Sequence, residues 1–169
     1  MHFMFKKEAQ GNCTYVSKIY SGVNEMEQKI QELIDGLNED LAHEYAASIM
    51  YTYNAAVVEG LYYQILKPFF QGEIADEQGH ALYLAEKIKT LGGTPTTTPA
   101  EVKQLTDVKD MLEEAKRNEE ATIERYEKRK QQAEELGFTE LVVKLDDMIA
   151  DETSHMEEMK RLLADPRLQ

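Results

Sequence analysis

Asp76-Glu77-Gln78-Gly79-His80 recurs 75 positions later as Asp151-Glu152-Thr153-Ser154-His155. The same offset carries Glu44 to Glu119 and Tyr51 to Tyr126, and in each half the lone Glu stands 33 residues before the Glu of the Glu-x-x-His. Six metal-ligand-type side chains therefore come as two sets of three. Four carboxylates and two imidazoles combine hard oxygen with imidazole nitrogen, a donor set that suits a pair of iron-class ions. One Glu-x-x-His in so acidic a chain would be chance. Two among only four histidines, aligned by the offset that also aligns two lone Glu and two Tyr, are a signal.

Working outward, four segments carry helical periodicity with breakers between them. The first begins near Asn24, where Asn24 and Glu27 resemble a capping box, and runs to about Glu59 before Gly60. The second spans about Leu61 to Leu91 and stops at Gly92-Gly93, with Pro68 marking a kink or a late start. Residues 94–106 contain Thr-Pro-Thr-Thr-Thr-Pro and cannot hold a helix, so they form a connection long enough to cross the bundle. The third segment runs from Asp107 to Leu136-Gly137, and the fourth from about Thr139 to Leu163. Short, long, short is the loop pattern of an all-α four-helix bundle with one long crossover between its second and third helices. The expected organisation is an N-terminal arm over 1–23, the bundle over 24–164 and a short tail over 165–169.

The carboxylates fall on the apolar stripes. The first helix steps through Ile34, Leu37, Leu41, Glu44, Ser48 and Tyr51, and the fourth through Leu145, Met148, Glu152, His155 and Met159. Glu77 sits on the second stripe with His80 beside it, and Glu119 on the third, between Ala115 and Tyr126. Each helix thus turns one carboxylate inward near its middle. Burying an unpaired ionised carboxylate costs several kcal/mol, and four would exceed a total stability of about 5–15 kcal/mol. The stripes offer no Lys or Arg at neighbouring levels, so cations are the expected compensation.

A net charge of −13 argues against docking on nucleic acid. No stretch approaches the roughly 20 apolar residues of a membrane span. Cys13 is the single cysteine, which excludes an internal disulfide and a four-thiolate centre and suggests a cytoplasmic protein. Neither a His-Glu-x-x-His, nor a phosphate loop, nor a Gly-x-Ser-x-Gly elbow is present.

Other positions weigh differently. Tyr51 and Tyr126 read as core tyrosines whose hydroxyls take a nearby carboxylate and so orient a ligand. Asp76 and Asp151 either accept the free N–H of a ligand histidine across the bundle or are solvated. Glu73, one turn before Glu77, is a weaker candidate for a cation path. His43 reads as packed or solvated, and His2 and Cys13 as incidental. The run from Glu124 to Lys130 reads as a solvated face.

These motifs resemble the ferritin-like di-iron carboxylate superfamily, and within it the bacterioferritin and mini-ferritin (Dps-like) branch, over about residues 28–164. Leu37-Asn38-x-x-Leu41-x-x-Glu44 with Tyr51 is similar to the first bacterioferritin helix, and Asp76-Glu77-x-x-His80-Ala81 to the second. Asp107-Val108-x-x-Met111-Leu112 leading to Glu119 is similar to the third, and Asp151-Glu152-x-x-His155 to the fourth. The resemblance implies that Glu44 and His80 bind one iron, that Glu119 and His155 bind the other, and that Glu77 and Glu152 bridge them. It implies a ferroxidase that handles and stores iron, with two iron ions per chain, or manganese, and with Fe(II) and O2 or H2O2 as reactants.

Gln78 stands where bacterioferritin carries a haem-ligating methionine, so no haem is expected. Only Ala164 to Gln169 follow the fourth helix, where the 24-subunit cages carry a fifth, so a dimer or a smaller cage is expected. Two alternatives remain at this point. One is a rubrerythrin-like peroxidase or manganese-catalase-like enzyme using the same residues, and the other is an acidic helical interaction module.

Overall fold

The computed structural model describes residues 8–168, with side chains from residue 22 onward. Helix α1 spans Glu8–Val57, α2 Tyr63–Thr90, α3 Val108–Glu135 and α4 Thr139–Leu163, with 3-10 turns at Gly60–Tyr62 and Pro166–Leu168. No strand occurs among the described residues. The bundle is all-α, with α1 packed on α2, α3 on α4 and α1 on α3. Among the described residues no helix is long and apolar enough to cross a membrane.

One expectation is corrected here and two are made more specific. Helix α1 begins at Glu8 rather than near Asn24, so the described part of the expected arm is helical. Gly11 and Gly22 each cost a helix only about 1 kcal/mol relative to Ala, and no proline precedes Pro68, so nothing in this stretch is a strong breaker. Residues 1–7 of that arm, with His2, lie outside the described residues, as does the side chain of Cys13. Residues 22–29 are all exposed, so this part of the rod carries no packed side chain. Helix α2 starts at Tyr63 and carries Pro68 inside it, so of the two readings of Pro68 the late start is excluded. Within the short tail over 165–169, Leu168 is buried in the core.

The helix ends follow from local chemistry. After α2, Gly92 takes a φ of 92°, and Gly93 N–H reaches back to the Ile88 carbonyl at 2.9 Å. After α3, Gly137 at φ 73° lets Phe138 N–H reach Ala133 in the same way. Both are left-handed closures that glycine adopts without a Cβ penalty. Asp107 caps α3 by accepting from the N–H groups of Lys109 and Asp110. The crossover is laid along α1: Asn38 donates to the Thr94 carbonyl and accepts from Thr96 N–H, and Ala100 N–H bonds the Ala42 carbonyl.

Two hydrophobic clusters fill the bundle. One contains Leu37, Leu41, Leu84, Ile88, Leu145 and Met148. The other contains Met50, Phe70, Met111, Leu112 and Met159. Between them in sequence, on every helix, comes the carboxylate-bearing turn, so the charged layer is walled by apolar packing.

Candidate metal centre

Each expected ligand comes from the middle of its helix. Glu44, Glu77, Glu119 and Glu152 are at most 2% exposed and His80 is 5% exposed, while His155 is half-buried. Glu44, Glu77, His80 and Glu152 each offer a donor atom within 4.8 Å of the others, and so do Glu77, Glu119, Glu152 and His155. Glu77 and Glu152 belong to both groups. Two adjacent metal positions sharing two carboxylates fit this arrangement. The acids are buried, which the reading as a solvated interaction module does not accommodate.

Both imidazoles turn Nδ1 inward. Nδ1 of His80 lies 2.9 Å from Glu152 and 3.7 Å from Glu44, and Nδ1 of His155 lies 3.0 Å from Glu152. The outward Nε2 atoms face acids of the opposite hairpin: His80 faces Asp151 at 3.5 Å, and His155 faces Asp76 at 3.8 Å. Such a partner holds the ring so that the inner nitrogen is free to ligate. The tyrosines also cross between halves. Tyr126 donates to Glu44 at 2.6 Å, and Tyr51 donates to Glu119.

The electrostatics follow from burial. Burial, reinforced by the neighbouring carboxylates, pushes Glu77 and Glu119 well above the usual carboxylate range. Burial would also raise Glu152, but the imidazoles of His155 and His80 outweigh it and hold the carboxyl down to about 2. Burial disfavours the imidazolium of His80, yet Glu152 and Glu44 lift its pKa to about 10, and His155 is raised in the same manner by Glu152 and Glu73. Without metal, burial thus favours the protonated forms of Glu77 and Glu119, and Glu152 pairs with both imidazoles. Metal binding competes with protons on these same groups.

The run Glu124–Lys130 differs from its sequence reading. Glu124, Glu127 and Lys128 are exposed, but Tyr126 and Arg129 are buried and Arg125 is half-buried. Arg129 donates to Asp40 and Glu39 on α1, each at 2.8 Å, and to Gln132 at 2.9 Å. Its guanidinium lies over Gly36, where an added Cβ would meet it at 2.2 Å. Asp40 is fully buried, and burial lifts its carboxyl to about 7 against the pull of Arg129 and Arg125. The arginines are thus engaged one turn from the centre, and the four central carboxylates keep their need for cations. The absence of an apolar residue at 125 and 129 hid this pair in the sequence.

His43 stays out of the metal groups. Burial and the charge of Arg125 lower its pKa. It lines a cleft of about 90 Å3 between α1, α3 and the crossover, together with Met50, Thr122 and Arg125, and this cleft reaches Glu119. Glu73, by contrast, is buried beside His155.

The sequence profile of the ferritin-like domain matches residues 34–168. The chain belongs to the ferritin-like family. Among solved structures, a ferritin-like, diiron-carboxylate protein from Bacillus anthracis is 70% identical, with a TM-score of 0.79 over 80% of this chain and 97% of that one. A bacterioferritin from Desulfovibrio desulfuricans, whose diiron site was captured in different catalytic states, is 27% identical, with a TM-score of 0.76 over 85% and 88% of the two chains. A dodecameric thioferritin from Bacteroides fragilis, at 23% identity, shares the fold with a TM-score of 0.74 over 86% of this ferritin-like chain and 94% of that one. No curated protein sequence matches.

Proposed function

We propose that this chain is a di-iron ferroxidase that binds, oxidises and stores iron in the cytoplasm as a homo-oligomer, at least a dimer. The observation that carries the reading is the pair of donor groups sharing Glu77 and Glu152, buried in a layer whose carboxylates need cations. The family supports iron as the metal, since the 70% identical relative is described as a diiron-carboxylate protein.

In this reading Fe(II) is substrate and cargo. Two Fe(II), one O2 and two protons give two Fe(III) and one H2O2. With H2O2 as oxidant, two Fe(II) and two protons give two Fe(III) and two waters. The protein's contribution is fixed geometry. Glu77 and Glu152 hold both ions, Glu44 with His80 and Glu119 with His155 hold one each, and Tyr126 and Tyr51 orient the two terminal carboxylates. Asp151 and Asp76 keep the imidazole N–H outward. The cleft beside Glu119 gives a small oxidant access from the α1–α3 side.

Assembly is supported by the outer face of α2. Ile65, Pro68, Gly72, Ala75, Gly79 and Leu82 recur there at alternating intervals of three and four, and all six are exposed in the single chain. Apart from the neighbouring residues and backbone of α2 itself, nothing in the chain lies within 4 Å of a Cβ added at Gly72 or Gly79, so packing inside the chain does not require these helix-weakening glycines. Close approach of a second copy does. Tyr63 and Ile49 are exposed nearby, whereas Tyr45 and Tyr62 pack onto the chain's own core.

The test is anaerobic titration of metal-free protein with Fe(II), then rapid mixing with O2 or H2O2 while Fe(III) absorbance is followed. Saturation near two per chain and fast oxidation are expected. Binding that moderate salt erases would sink the proposal, and H2O2 turnover without net iron oxidation would favour the peroxidase or catalase alternative.

A further inference from the structure

Glu73 sits one turn before Glu77 on α2 and is 8% exposed. Its Oε2 takes no hydrogen bond, yet lies 3.2 Å from Nδ1 of His155, the nitrogen that faces the centre. That nitrogen belongs to the group of Glu77, Glu119, Glu152 and His155, so a cation ligated there would lie beside the Glu73 oxygen. A buried carboxylate oxygen without a hydrogen-bond donor calls for a partner, and a cation at this position would be one.

The internal repeat sharpens the point. Every element of the centre recurs at the 75-residue offset, but the counterpart of Glu73 is Met148, an apolar side chain fully buried in the core. A carboxylate thus stands at one metal position and a thioether at the corresponding place of the other. The two halves are not chemically equal.

We propose that Glu73 is a further ligand of the position formed by Glu77, Glu119, Glu152 and His155, making it the tighter of two unequal cation sites. This rests on the two-metal reading given above. The Glu119/His155 position fills first, and the Glu44/His80 position second.

The test is anaerobic titration of the full metal-free chain with Co(II), whose visible bands report coordination. Wild type is expected to fill in two distinguishable steps. Glu73→Gln, which keeps shape and removes charge, should weaken the first step about tenfold or more and leave the second unchanged. His155→Ala should still hold a second Co(II) weakly, and His155→Ala with Glu73→Gln should lose it. Two steps unaltered by Glu73→Gln, or identical binding by the single and double His155 variants, would overturn the proposal while leaving the two-metal reading intact. Wild type that binds fewer than two Co(II) would overturn both.

Discussion

Tyr126 on α3 reaches Glu44 on α1, its hydroxyl 2.6 Å from Oε1, and the hydroxyl is fully buried. Burial and the charges of Glu44 and Glu152 raise its pKa, so its O–H is kept to donate to Glu44. Tyr126→Phe removes this donor without opening a cavity. Orienting bonds of this kind are worth about 10–100-fold in metal affinity or activity. The expected loss is of that size at the Glu44/His80 position, read by anaerobic Fe(II) binding, with the Glu119/His155 position unaffected.

Glu77 and Glu152 should separate when each is replaced by Ala. Both variants should lose rapid Fe(II) oxidation more completely than Glu44→Ala, because each removed carboxylate serves both ions. Without metal they should diverge. Glu77 is an acid crowded by Glu44, Glu119 and Glu152, and burial raises its pKa, so its removal should leave stability unchanged or raise it. Glu152 pairs the buried imidazole of His80 and the half-buried one of His155, and its removal leaves them without this partner. A fall of about 3–5 kcal/mol is expected for a broken buried pair, and thermal unfolding of both metal-free variants checks it.

Metal loading should release protons. His80, its pKa lifted to about 10, carries a proton between pH 6.5 and 8 that a ligated cation displaces, and Glu77, Glu119 and His155 are shifted in the same direction. Affinity should therefore rise with pH across this window. In the metal-free protein the sign is opposite. Groups with raised folded pKa values favour folding at low pH, and the part due to His80 fades as pH rises toward about 10. Proton release, read by a pH indicator during anaerobic titration, and melting of metal-free protein from pH 6.5 to 10, test both halves.

Gly36→Ala should destabilise the bundle by about 1–3 kcal/mol, since its methyl group would enter the space of a guanidinium fixed by three partners. Shortening the obstruction with Arg129→Ala should abolish the specific penalty of Gly36→Ala, at the cost of leaving Asp40 unpaired. A double-mutant cycle measured by denaturant unfolding gives the coupling.

Gly72→Leu and Gly79→Leu should strengthen α2 as a helix yet break the assembly, because both positions face outward. Light scattering should report a smaller species, with bundle melting unchanged or raised. Incubation with excess haem should yield no low-spin haem spectrum, because Gln78 offers no thioether.

The bundle and its central layer were legible because ligand chemistry is tied to position. A carboxylate on an apolar stripe is conspicuous, and a matching offset in the second half makes it improbable by chance. Arg129 and Asp40 were not legible, since a charged residue flanked by other charges looks solvated until its partner on another helix is known. The crossed tyrosines were half legible: each was expected to meet a carboxylate, but only packing shows that the partner belongs to the other half. The start of α1 was misjudged because glycine and asparagine suggest an ending that no proline enforces.

The sharing of Glu77 and Glu152 has a consequence for how the molecule could be divided. The hairpin of α1 and α2 supplies Glu44, Glu77 and His80 but must borrow Glu152, while the hairpin of α3 and α4 supplies Glu119, Glu152 and His155 but must borrow Glu77. Severing the crossover would leave two fragments, each unable to complete either ion's cage alone. On the two-metal reading such fragments are expected to complement each other when metal is supplied, with the continuous chain acting as a tether between two interdependent halves.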